Sequence, residues 1–142
     1  MNILLANDHA GTTLKNEIKK VLESKGYGVN NLGCDSEESV DYPDFAHQLA
    51  SSIEDGFNEL GIQFCGSGNG INMSANKHQF IRSALCWEVE IAELARLHND
   101  ANICTMPARF ISLEKALLII DVFLDTDFEG GRHQRRVNKI SY

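Results

Sequence analysis

The sequence predicts an α/β protein, a three-layer α/β/α sandwich around a five-stranded, mostly parallel, Rossmann-like sheet. Short apolar runs alternate with segments of helical period along the whole chain. Strands joined through helices call for right-handed crossovers, and so for parallel neighbours. The 142 residues, 43% of them hydrophobic, contain no internal repeat, linker or low-complexity tract. That length suits one domain with one core, spanning residues 1–142.

Asn2 to Ala6 is the first strand, broken by Asn7-Asp8-His9-Ala10-Gly11. Thr12 or Thr13 is expected to cap the next helix, where Leu14, Ile18, Val21 and Leu22 share a face and Gly26 marks the end. Tyr27 to Leu32 reads as the second strand, and 33–42 as a polar loop. Pro43 suits the first turn of a helix running to about Asp55, with Phe45, Leu49 and Ile53 inward. Gln63 to Cys65 is the third strand, and Ile71 to Asn76 can enter a helix after a glycine-rich turn. Arg82 to Cys86 is the fourth strand. Glu88 to His98 follows as a helix with Ile91, Leu94 and Ala95 inward. Asn102 to Thr105 is the fifth strand, Leu113 to Phe123 an apolar helix, and Gly130 to Ile140 a final polar one.

Composition removes several function classes. The formal net charge is −7, and the one basic cluster is Arg132-His133-Gln134-Arg135-Arg136. Three arginines can hold one phosphate but do not make a surface for nucleic acid or an anionic membrane. No run reaches the length of a membrane span, and Met1 to Asp8 lacks the basic start of a signal peptide. Cys34, Cys65, Cys86 and Cys104 are widely spaced with no CxxC pair, which points to a reduced, cytoplasmic protein. The histidines show no metal-ligand spacing, so no metal is expected.

Open α/β sheets bind ligands at the carboxyl ends of their strands, beside the switch in strand order. Asp8-His9, Cys65 to Gly70 and Arg109 fall at that edge. His98-Asn99-Asp100 ends a helix just before the fifth strand, which puts it at the opposite edge. One subunit alone would not gather all four groups, whereas a second subunit could supply the missing part. The glycines of Cys65-Gly66-Ser67-Gly68-Asn69-Gly70 match neither the dinucleotide fingerprint nor the Walker loop, and Ser67 lacks a nucleophile elbow. A strand that stops at such a turn and opens a helix aims N–H groups at an anion, and that field also favours a thiolate. The loop therefore reads as an anion cradle, a reactive cysteine, or both. Plainer readings stand beside these: a tight turn with a small buried cysteine, a turn cap at Asp8-His9, and a solvated arginine face. Tyr42 reads as part of a helix start that could also reach into a cleft.

Asp8-His9-Ala10-Gly11, Asp41-Tyr42-Pro43, Cys65-Gly-Ser-Gly-Asn-Gly, Asn76-Lys77, His98-Asn99-Asp100-Ala101-Asn102 and Phe128-Glu129-Gly130-Gly131-Arg132-His133 occur in one order across the whole chain. Together they resemble ribose-5-phosphate isomerase B, in the family that includes the galactose-6-phosphate isomerase subunits. The resemblance implies an aldose–ketose isomerase of the pentose phosphate pathway, without metal or organic cofactor and built as a homodimer with composite sites. Pairing of dimers into tetramers is left open. The C-terminal helix would pack on or reach the partner subunit.

By the same resemblance, Cys65 is the base that moves the proton between neighbouring carbons, and Ser67 supports the transfer. Asn99 and the amides of Gly66, Gly68, Asn69 and Gly70 hold the enediolate oxygen. His98, helped by Asp8, opens the furanose ring, and Tyr42 lines the pocket. Arg132 and Arg136, with Arg109 and His9, hold the phosphate. Ser67 stands where threonine is common, Asn69 where an aliphatic residue is, Thr12 where an aromatic is, and Phe80 where glycine often is. These departures bear on which sugar is taken. A six-carbon sugar phosphate, such as allose or galactose 6-phosphate, and a non-catalytic sugar-phosphate-binding module are the alternatives.

Overall fold

Each apolar run becomes a strand of one sheet, and each helical stretch returns the chain to the edge where the next strand starts. The computed structural model describes residues 1–56 and 59–141. The strands are β1 (Asn2–Asn7), β2 (Gly28–Asn31), β3 (Leu60–Cys65), β4 (Ser83–Leu85) and β5 (Ile103–Pro107). They run in the order β2-β1-β3-β5-β4, and every pairing is parallel. The sheet is thus wholly rather than mostly parallel. Strand order switches between β1 and β3, so the loops leaving those two strands part there and open a crevice.

Alternation along the strands sorts side chains into two layers. Ile3, Leu5, Ile62, Phe64, Cys104 and Met106 face α1 (Thr12–Ser24), α4 (Val89–Asn99) and α5 (Leu113–Asp125) through Ile18, Leu22, Ala92, Ala95, Ile119 and Phe123. Leu4, Ala6, Cys65 and Ile103 face α2 (Tyr42–Glu54) and α3 (Asn69–Ala75) through Ala46, Leu49, Ala50, Ile71 and Ala75. Burying each larger aliphatic or aromatic side chain stabilises the sandwich by about 1.5–3 kcal/mol. In α4 the fully inward positions include Ala92 and Ala95, while Ile91 and Leu94 are only half-buried. Small residues there let the helix lie close to its neighbours.

Three further elements differ from expectation. Thr12 and Thr13 do not cap α1, because Gly11 occupies that position without a side-chain bond. A short 3-10 turn, His9–Gly11, precedes the helix, and Asp8 caps that turn instead. The Thr12 hydroxyl is turned inward and donates to the Ser36 carbonyl at 2.7 Å. The last helix, α6 (Arg132–Val137), is six residues long rather than eleven, and packs beside α4.

A polar network seats α3 on the sheet. Gln63 Nε2 donates to Thr105 Oγ1 at 2.8 Å and to the Ile71 carbonyl at 3.2 Å. Ser83 Oγ lies 2.8 Å from Thr105 Oγ1 and donates to Asn72 Oδ1 at 2.7 Å, so Thr105 is the donor to Ser83. Asn76 exchanges two bonds with the Ser83 backbone, at 2.8 and 2.9 Å. Gln63 and Thr105 are fully buried. Loss of any one partner would leave a buried polar group unsatisfied, at about 1–3 kcal/mol.

Candidate active site

At the carboxyl edge β1 delivers Asp8 and His9. Asp8 Oδ1 accepts the Ala10 N–H at 3.0 Å, and the Asp8 N–H donates to the Phe64 carbonyl at 3.2 Å, tying this turn to β3. Asn7, fully buried, donates from Nδ2 to the carbonyls of Asp8 (2.8 Å) and Cys34 (2.9 Å). His9 Nδ1 accepts the Val40 N–H at 3.2 Å. A neutral His9 held this way keeps its proton on Nε2, which is then a hydrogen-bond donor.

Cys65 ends β3 opposite Pro107, and its residue is 7% exposed. The Ala108 N–H donates to the Cys65 carbonyl at 2.9 Å and the Arg109 N–H to the Gly66 carbonyl at 3.0 Å. These bonds bring the β5 loop across, and the Arg109 side chain lies over Gly66, where an added Cβ would be 3.2 Å from Nη1. Gly68 sits in the left-handed region at φ +82°, a conformation costly for other residues, and turns the chain into α3. The Tyr42 ring rests on Gly70. Ser67 and Asn69 are exposed, with the Asn69 N–H on Ser67 Oγ at 3.3 Å. A groove of about 460 Å³ opens next to them, bordered by Leu85, Trp87, Pro107 and Phe110.

The amino edge holds a second group. Helix α4 closes at Asp100, which takes a left-handed conformation at φ 47°. Arg82 Nε donates to the carbonyls of Asn99 and Asp100, both at 3.0 Å, and fixes that helix end. The rings of His98 and His133 stack with centroids 4.2 Å apart and planes within 12°. The Glu129 N–H donates to the Leu97 carbonyl at 3.1 Å, and the Glu129 carboxylate lies 3.9 Å from Nε2 of both histidines. Loss of solvation, followed by the charge of His98, holds the His133 imidazole below the usual histidine range. His98, Glu129 and His133 place three ligand-type atoms within 4.8 Å of one another. The near-parallel rings aim their in-plane lone pairs along separate lines, which does not suit a single ion. Asn99 borders a cavity of about 330 Å³ with Asn76, Arg82 and Ser83. Arg132 and Arg136 are exposed on α6.

Within one chain, Asp8, His9, Tyr42, Cys65 to Gly70 and Arg109 gather at the carboxyl edge. His98, Asn99, Arg132 and Arg136 gather at the amino edge. Asp8 is therefore not brought to His98 in a single chain, nor are Arg109 and His9 brought to Arg132 and Arg136. Lys15 escaped the reading of the sequence, although it lies three residues before Ile18 and seven before Leu22, on the buried face of α1.

Residues 3–140 match the family model described as Ribose/Galactose Isomerase. Ribose-5-phosphate isomerase B of Escherichia coli (strain K12) is 42% identical over 134 residues, covering 94% of this chain and 90% of that one. A ribose 5-phosphate isomerase from Thermotoga maritima superposes with a TM-score of 0.97 at 47% identity, over 99% of this chain and 97% of that one. A ribose-5-phosphate isomerase B from Mycoplasma genitalium, with ribulose-5-phosphate bound, gives a TM-score of 0.93 at 42% identity over 98% and 93%.

Proposed function

Since the chain belongs to the ribose/galactose isomerase family, we propose that it interconverts ribose 5-phosphate and ribulose 5-phosphate in the pentose phosphate pathway, at sites shared by two subunits. The observation that carries this reading is the carboxyl end of β3, where Cys65, buried but for 7% of its surface, leads directly into a loop of backbone amides. Cys65 takes the proton from the carbon beside the carbonyl and returns it to the neighbouring carbon. The amides of Gly66 to Gly70 face the oxygen that becomes negative in between, where fixed donors act most strongly. Ser67, exposed beside the base, carries a hydroxyl that can pass the proton.

The split between the two edges supports a homodimer. Cys65, Ser67, Asp8, His9, Tyr42 and Arg109 of one subunit face His98, Asn99, Arg132 and Arg136 of the other. His98 then opens the furanose ring with Asp8 across the interface, and Asn99 adds a donor to the enediolate. Arg132 and Arg136 meet Arg109 and the His9 Nε2–H around the phosphate, where guanidinium forks suit three oxygens. No step calls for a metal or an organic cofactor. The four cysteines are free thiols, in keeping with a reduced, cytoplasmic setting, and no described helix is long and apolar enough to cross a membrane.

The test is turnover of ribose 5-phosphate by the wild type and by Cys65→Ala. Loss of about 10²–10⁴ in kcat with the sugar phosphate still bound is expected, and undiminished turnover refutes the role of Cys65. The groove beside Ser67 and Asn69 leaves room for a longer sugar, so kcat/KM for allose and galactose 6-phosphate is measured in parallel.

A further inference from the structure

Lys15 is among the largest side chains buried completely in the described residues, and neither proton transfer nor phosphate binding uses it. Its ammonium bonds Asp35 and, at 3.2 Å, Asn31 Oδ1; Asn31 Nδ2 in turn donates to the same Asp35 oxygen at 2.9 Å. Asn31 closes β2, and Asp35 lies near the start of the connection between β2 and α2. That connection is also fastened by Asn7 at the Cys34 carbonyl and by Thr12 at the Ser36 carbonyl. Its far end has two contacts with the carboxyl-edge site: the Val40 N–H on His9 Nδ1 and the Tyr42 ring on Gly70.

We propose that Lys15 is a positioning residue for the sugar-phosphate end of the site, acting through Asp35 and the β2–α2 connection to fix the ring of His9. The inference rests on the reading of His9 as a phosphate contact given above. A lysine stem crossing the apolar layer gives the loop a charged anchor with little freedom, whereas Asp35 itself is 68% exposed and would otherwise wander with the loop. With the anchor in place, the Val40 N–H stays on Nδ1 and the proton of a neutral His9 stays on Nε2. Without it, His9 can rotate and exchange tautomers.

The test uses full-length Asp35→Asn, Asp35→Glu and Lys15→Met, with Asp35→Asn as the decisive variant because its side chain is exposed and the core is untouched. Long-range 1H–15N spectra read the His9 tautomer, and steady-state kinetics on ribose 5-phosphate give KM and kcat separately. For Asp35→Asn we expect KM to rise about tenfold with kcat changed less than about twofold, and the His9 nitrogens to lose their fixed pattern. Asp35→Glu, which keeps the carboxylate, is expected to restore both readouts. An unchanged His9 pattern in folded Asp35→Asn overturns the proposal. So does a parallel fall of kcat, kcat/KM and melting temperature, which marks a merely structural tie. If the wild type turns over no sugar phosphate while Asp35→Asn still frees His9, the functional reading fails and the positioning role stands.

Discussion

Tyr42 and Gly70 are in direct van der Waals contact, so close that a Cβ added at Gly70 would lie 2.4 Å from Tyr42 Cζ. The first residue of α2 thereby props the third glycine of the Cys65 loop, 28 residues further along. Gly70→Ala must push the ring out or lift the loop. Overpacking of this kind destabilises by about 1–3 kcal/mol. We expect a drop in kcat/KM of at least about tenfold, with a melting temperature lower by roughly 3–12 °C. Tyr42→Ala combined with Gly70→Ala relieves the clash, and is expected to recover melting temperature before activity.

Shared sites predict complementation between two inactive variants. Cys65→Ala spoils one half-site and His98→Asn the other, so each homodimer is expected to be inactive. Subunits mixed by unfolding and refolding give heterodimers in about half of the population, each with one intact site. Activity of about a quarter of wild type is the expected result. No recovery, in a mixture shown by mass spectrometry to contain heterodimers, would mean each chain carries its own complete site.

Arg136→Ala and Arg132→Ala are expected to raise KM for ribose 5-phosphate by tenfold or more, as the loss of a charge-assisted pair of about 1.5–3 kcal/mol implies. Any turnover of unphosphorylated ribose serves as the control and is expected to stay nearly unchanged. An equal loss with both sugars would move these arginines away from the phosphate.

His133 predicts a pH dependence of stability. Its folded-state pKa lies below the unfolded value because the ring is desolvated and faces the charge of His98, with smaller pressure from Arg132 and Arg136. The folded state therefore binds fewer protons through this group than the unfolded state does. Its contribution is intact above the unfolded histidine value of about 6.5 and is lost as pH falls through the lower folded value. Melting curves between about pH 7.5 and 5 are expected to decline, and His133→Gln is expected to flatten part of that decline.

Sequence alone carried the layer order and the Cys65 loop, because both rest on periods and spacings that tertiary contacts do not override. Ends were less legible. Thr12 looked like a cap because capping propensity is local, yet Asp8 reaches the Ala10 N–H first and leaves the Thr12 hydroxyl for the β2–α2 connection. In α6, Val137 is where the last turn gives out, although the polar pattern continues to Ile140. Lys15 was hidden for another reason. A charged residue in an amphipathic helix reads as solvent-facing, and only the fold shows that Asn31 and the exposed Asp35 lie within reach of its buried ammonium.

The chain of donors from Gln63 through Thr105 and Ser83 to Asn72 has a consequence for how such an enzyme could change its diet. An apolar helix seat can slide by an ångström and refill its gaps, whereas a seat made of directed bonds either fits or breaks. Helix α3, and the amide loop at its head, are thus effectively immovable against β3 and β5. Adaptation to a longer or differently branched sugar would have to work at the rim, on Asn69, Trp87 and Phe110. The part of the loop nearest Cys65 is the part that selection can least afford to shift.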